Sequence, residues 1–195
     1  MKKILAGLGL AVIAAHASAT YTISISAVGA DVVATGRGTI NTTGMTIQTI
    51  ESSCGGGKGG TDANITICMG VGAAGGVSVD AVSNTTPFGT GLVTLASSAS
   101  GDPVFMSGPL LYLPANYVSG APLTSSNTYA GTTLAAMGLT AGTYTYNLSS
   151  GDKLVLQVGA VAAPTPVPGL GTWAVVALSA LLAMLGLARG RKYKA

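Results

Sequence analysis

The sequence predicts an all-β fold, a single Gly/Thr-rich β-sandwich-like domain over residues 20–159. Three observations carry this. Glycine accounts for 29 of 195 residues, about twice the usual ~7%, which suits a chain of many turns. The central region shows no sustained 3.6-residue apolar period. Short β-branched runs between Gly, Asn, Asp and Ser recur instead, the pattern of strands and turns. About 140 residues are enough to enclose one real core.

Before this domain stands a leader. Lys2 and Lys3 precede an apolar run from Ile4 to Ala15, and Ala17-Ser18-Ala19 follows. A charged start, a short apolar centre and small residues at the two positions a signal peptidase reads make a secretory signal peptide. Residues 1–19 are therefore expected to be removed, with Ala17, Ala19 and Thr20 forming the cleavage site. His16, the only histidine, leaves with them.

The strands follow in order. Tyr21–Ser26 alternates, as does Asn64–Cys68. Val77–Val82, Leu92–Ala96, Leu110–Leu113, Thr143–Leu148 and Leu154–Val158 are further candidates. Ser100–Asp102 and Ser150–Asp152 repeat Ser-Gly-Asp and predict turns. Together these elements favour two packed sheets. Residues 160–168 contain three alternating prolines, which favour an extended spacer.

Residues 169–195 end the chain. From Leu170 to Ala188 there is no charge. A helix of that length rises about 28 Å at ~1.5 Å per residue, close to the ~30 Å hydrocarbon core of a bilayer. A lone span must satisfy its own backbone and is expected to be helical. Trp173 suits the headgroup region. Arg189, Arg191, Lys192 and Lys194 in the tail 189–195 place that end in the cytoplasm and the β domain outside.

Without the two ends the charge reverses. Arg37, Lys58 and Lys153 face Asp31, Glu51, Asp62, Asp80, Asp102 and Asp152, so the net charge of +3 for the whole chain becomes about −3 for the body. Three scattered cations make no nucleic-acid patch.

Few residues carry candidate chemistry. Cys54 and Cys68 are the only cysteines, and an exported chain favours a disulfide between them. Cys54-Gly55-Gly56-Gly57-Lys58-Gly59-Gly60 lacks the Ser or Thr a phosphate loop needs after its Lys. Asp62-Ala63-Asn64 opens like a calcium loop, but Ala73 stands where the twelfth-position Glu is required, so a surface turn is expected. Asn41, Asn64, Asn84 and Asn147 begin Asn-x-Ser/Thr triplets, read here as chance in a Thr-rich chain. No Gly-x-Ser-x-Gly elbow occurs, and triads need a histidine. The six acids do not single out a glycosidase pair. The expectation is no enzyme, no catalytic residue, no metal and no cofactor. Tyr112, Tyr117, Tyr129, Tyr144 and Tyr146 cluster in the second half. They predict either packing between sheets or platforms for sugar rings.

Val167, Pro168, Leu170 and Trp173, with the apolar run and basic end behind them, resemble the protein-sorting tails of Gram-negative bacteria called PEP-CTERM. The IPTL-CTERM variant is the nearer likeness. Gly169 stands where that variant usually has Thr, and Thr172 where an acid is common. The body also resembles a group of PEP-CTERM proteins at Asp31–Gly44, Leu113–Gly120 and Met137–Tyr144. Tyr146-Asn147-Leu148 replaces the Trp such proteins usually carry. The resemblance implies export, a transient anchor in the inner membrane, and recognition near Pro168 by an exosortase-type membrane protease. Delivery to the cell surface or extracellular matrix, including a biofilm matrix, would follow. A structural role is expected there. The alternatives are an exopolysaccharide-binding module and a single-pass membrane protein that is never cleaved.

Overall fold

The computed structural model describes residues 20–53, 57–78 and 81–159, with Glu51 and Ser53 as backbone only. The expected leader, linker, span and basic tail lie outside the described residues. Among the described residues no helix is long and apolar enough to cross a membrane.

The described chain is nearly all β. Its strands are β1 (Thr20–Val28), β2 (Asp31–Thr39), β3 (Ile47–Ser53), β4 (Gly60–Asp62), β5 (Thr66–Met69), β6 (Ala73–Ser78) and β7 (Thr94–Leu95). Then come β8 (Ser98–Gly101), β9 (Val104–Ser107), β10 (Leu110–Leu113), β11 (Pro122–Tyr129), β12 (Gly142–Asn147) and β13 (Lys153–Val158). One sheet has the order β12-β13-β1-β2-β11-β8. The other has the order β3-β6-β10-β9-β5-β4-β7.

Alternation builds the first sheet. In β1 Tyr21, Ile23 and Ile25 are buried while Thr22, Ser24 and Ser26 face the other way. β2 repeats this with Val32 and Ala34, and β13 with Leu154, Leu156 and Val158. β1 and β2 form a hairpin closed by Val28 and Asp31. Gly29 opens its two-residue loop at φ 62°, a value that costs glycine nothing and that a primed hairpin turn requires. β1 runs antiparallel to β2 but parallel to β13.

The buried faces of the two sheets share one core. Tyr21, Ile23, Val32 and Leu156 from the first sheet join Ile67, Met106, Leu111 and Leu113 from the second. Each fully buried side chain of this kind stabilises by about 1.5–3 kcal/mol. A smaller cluster of Cys68, Ala74 and Phe105 is joined by Tyr112, whose ring stacks on Phe105 at a centroid distance of 4.0 Å.

β11 breaks the apolar rule. Its inward positions are Leu123, Ser125, Asn127 and Tyr129. The Ser125 and Tyr21 hydroxyls lie 2.6 Å apart. Asn127 is fully buried and ties the sheets together. Its Nδ2 donates to the Cys68 carbonyl at 2.6 Å, and its Oδ1 accepts from the Gly70 amide at 3.0 Å. Buried polar groups persist only when so satisfied.

Some expected strands moved. Leu110–Leu113 forms as expected, and β1, β12 and β13 cover the expected runs closely. Asn64 is not in a strand. Its amide bonds Asp62 Oδ1 at 3.0 Å, and Ile65 N bonds the Asp62 carbonyl at 3.1 Å. These bonds make the turn between β4 and β5 that the Asp62-Ala63-Asn64 spacing anticipated. Val82 makes only an isolated bridge to Leu148.

Candidate functional site

A neutral groove of the body lies along β3, an edge of the second sheet. Thr42, Ile47 and Thr49 form one wall, the loop from Leu113 to Tyr117 the other, and Gly75 and Gly76 the floor, around a volume of about 340 Å³. Local sequence explains the shape. Tyr117 N bonds the Pro114 carbonyl at 3.2 Å, and Asn116 takes φ 57°, a left-handed value that Asn tolerates better than most residues. Ala115 then packs over Gly75, where an added Cβ would stand only 2.5 Å from the Ala115 methyl.

Tyr117 holds the groove's end. Its hydroxyl accepts from Ile40 N at 3.0 Å and donates to the Ala121 carbonyl at 2.7 Å. Desolvation by burial raises its pKa above the ordinary tyrosine value. The phenol therefore stays neutral and structural. No charged side chain lines this groove. Its volume suits a small neutral molecule.

Four acids, Asp31, Asp62, Asp102 and Asp152, have structural partners among the described residues. Asp31 Oδ1 accepts from Gly131 N at 2.9 Å, and Asp102 Oδ2 accepts from Thr124 N at 2.8 Å. Asp152 is buried and accepts from Asn41 N at 2.6 Å. With Asp62 in its turn, these carboxylates each anchor a backbone amide, and the bonds place no two of them on a shared substrate. Among the described residues no group of three His, Cys, Asp or Glu side chains stands together as a metal site.

The tyrosines go into packing. Tyr129 and Tyr146 are buried, and Tyr146 donates to the Thr86 carbonyl at 2.8 Å. Tyr144 is half-buried, meets Phe88 edge-on at 6.2 Å and donates to Thr140 O. Tyr112 lies against Phe105. These rings do not form a common exposed platform. Sequence reasoning missed Ser125 and Asn127, whose polar type signalled the surface.

Thr20 begins β1, paired with Lys153; Ala17 and Ala19 lie outside the described residues. Cys68 is buried, and among the described residues there is no free cysteine. Cys54 lies outside the described residues. So do Val167, Pro168, Leu170, Trp173, Arg189, Arg191, Lys192 and Lys194.

Those tail residues are where the chain is similar to a known family. Residues 165–192 match the family model of the IPTL-CTERM motif. The chain carries a C-terminal sorting signal of the PEP-CTERM type. The match takes in the Pro motif, Trp173, the uncharged run and three of the four cations, stopping before Lys194. This IPTL-CTERM signal implies an exported precursor that transits the membrane and is processed by an exosortase-type enzyme. No curated protein and no solved structure matches the chain.

Proposed function

We propose that this protein is a structural component of the cell surface or extracellular matrix, exported as a membrane-held precursor and released or transferred by exosortase-type cleavage. The IPTL-CTERM match at residues 165–192 carries this reading. The leader directs export and is cut after Ala19. A deeper cut would remove Tyr21, a fully buried core residue. The uncharged run at 170–188 then spans the inner membrane as a helix. The cations behind it stop transfer and hold their end in the cytoplasm. The linker at 160–168 spaces the β domain from the bilayer, so Pro168 and its neighbours are presented to the protease.

Outside the cytoplasm the thiols oxidise. The proposed Cys54–Cys68 bridge closes a loop of 15 residues, which contributes about 3 kcal/mol in the chain-entropy model. Free-thiol labelling of unreduced surface material should modify neither cysteine. A structural role rather than an enzymatic one is favoured by the neutral groove and by four described acids, Asp31, Asp62, Asp102 and Asp152, committed to backbone amides. Sugar binding on tyrosine platforms draws no support from rings used in packing.

Pulse-chase labelling tests the route. A membrane-bound form should appear first and convert to a shorter form. Substitution of Pro168 by Ala together with Trp173 by Ala should make the first form persist. Conversion at an unchanged rate in that variant would count against recognition of this tail.

A further inference from the structure

The outward face of the six-stranded sheet is a hydroxyl surface. Register aligns Thr143, Gln157, Ser24, Thr35, Ser126 and Ser100 in one row across all its strands. The adjacent row brings Thr22, Arg37 and Thr124 together. Between these rows opens a groove of about 380 Å³, walled by Thr35, Arg37, Ser100, Thr124 and Ser126 over the backbone of Gly36, Ser125 and Gly101. The floor is bare because Gly36 and Gly101 have no side chain and that of Ser125 turns inward to Tyr21.

Arg37 is exposed, and among the described residues it makes no hydrogen bond or ion pair. The acid nearest in register, Asp102, is taken by the Thr124 amide. A guanidinium with its fork of donors uncommitted fits a carboxylate in a bidentate pair. The hydroxyls around it both donate and accept, which suits a ligand with many hydroxyls of its own. The groove has no aromatic ring for stacking and no apolar wall for a peptide side chain. One cation does not track a nucleic-acid backbone.

We propose that this groove binds a carboxylated sugar unit, a uronate within an acidic polysaccharide, with Arg37 on the carboxylate and Thr35, Thr124, Ser126 and Ser100 on the ring hydroxyls. Binding here is separate from tail processing, so either reading can fail alone.

The test is calorimetric titration of the purified full chain in detergent with oligogalacturonate. Its methyl ester and free acetate serve as comparisons, at low and at physiological salt. The expected result is binding of the acid oligomer that weakens with salt, and little binding of the ester or of acetate. Arg37→Gln should lower affinity about tenfold or more, as loss of a charge-assisted pair does, with an unchanged melting curve. Arg37→Lys should fall between, and Ser126→Ala with Thr124→Ala should lose a few-fold. Equal binding of ester and acid, or full affinity in Arg37→Gln, would overturn the proposal. Acetate binding as tightly as the oligomer would show a simple anion site and overturn the sugar assignment. If Arg37→Gln melts early, the hydroxyl double variant decides.

Discussion

In the β body a residue acquires its role from partners far along the chain. Tyr21 meets Ser125 across 104 positions, and Asn41 meets Asp152 across 111. In the tail the recognised feature is one continuous run, residues 165–192. The first kind of information exists only once the sheets have formed. The second can be read by a membrane and an enzyme from a linear segment. The contrast teaches that the two regions should fail separately. Damage to the body should change stability without changing the address, and damage to the tail should change the address without changing stability.

The largest separation is expected from the basic end. Replacing Arg189, Arg191, Lys192 and Lys194 by Gln removes the charge proposed to stop transfer. The processed form should fall below detection in fractionated cells, while the unfolding free energy of the β body stays within about 0.5 kcal/mol of wild type. A matching loss of body stability would break the contrast from the tail side.

The body side is broken at Asn127. Asn127→Leu removes the bonds to the Cys68 carbonyl and the Gly70 amide. At about 1–3 kcal/mol for disrupting such a buried polar pair, a loss of about 2 kcal/mol is expected in denaturant unfolding. Chains that still fold should be processed normally.

Alkali offers a second approach to the same core. Burial pushes both Tyr21 and Tyr146 up to about 12 from 10.0, with desolvation the largest cause. The folded state keeps a proton that the unfolded state gives up near pH 10. Stability from these groups is therefore whole below pH 10 and falls as the pH rises toward 12. Melting temperatures measured across that window should drop, and Tyr21→Phe should soften the drop.

At neutral pH Tyr21→Phe is the smallest perturbation. It leaves the Ser125 hydroxyl without its partner, at a cost of about 1 kcal/mol, again with no effect on the tail.

The same contrast explains what could be read in advance. β1, β10 and β13 are legible because their buried faces are apolar and alternate, as at Tyr21, Ile23 and Ile25. β11 is not, because Ser125 and Asn127 occupy inward positions and look like surface residues until Tyr21, Cys68 and Gly70 arrive to satisfy them. β4 is too short to show a period, with three residues, and of the expected strand Leu92–Ala96 only Thr94–Leu95 pairs, as β7. The groove at Leu113–Tyr117 needs Gly75 from another strand, and its sequence alone announces a turn. The sorting motif needs no partner, so Pro168, Trp173 and the cations were legible as they stand.

The intact mass of the mature protein recovered from the cell surface tests the central claim most directly. The mature chain should begin at Thr20 and end close to Pro168. It should lack Trp173, the only tryptophan, and so show tyrosine fluorescence alone. A surface form that ends at Ala195 with its tryptophan emission intact would contradict it.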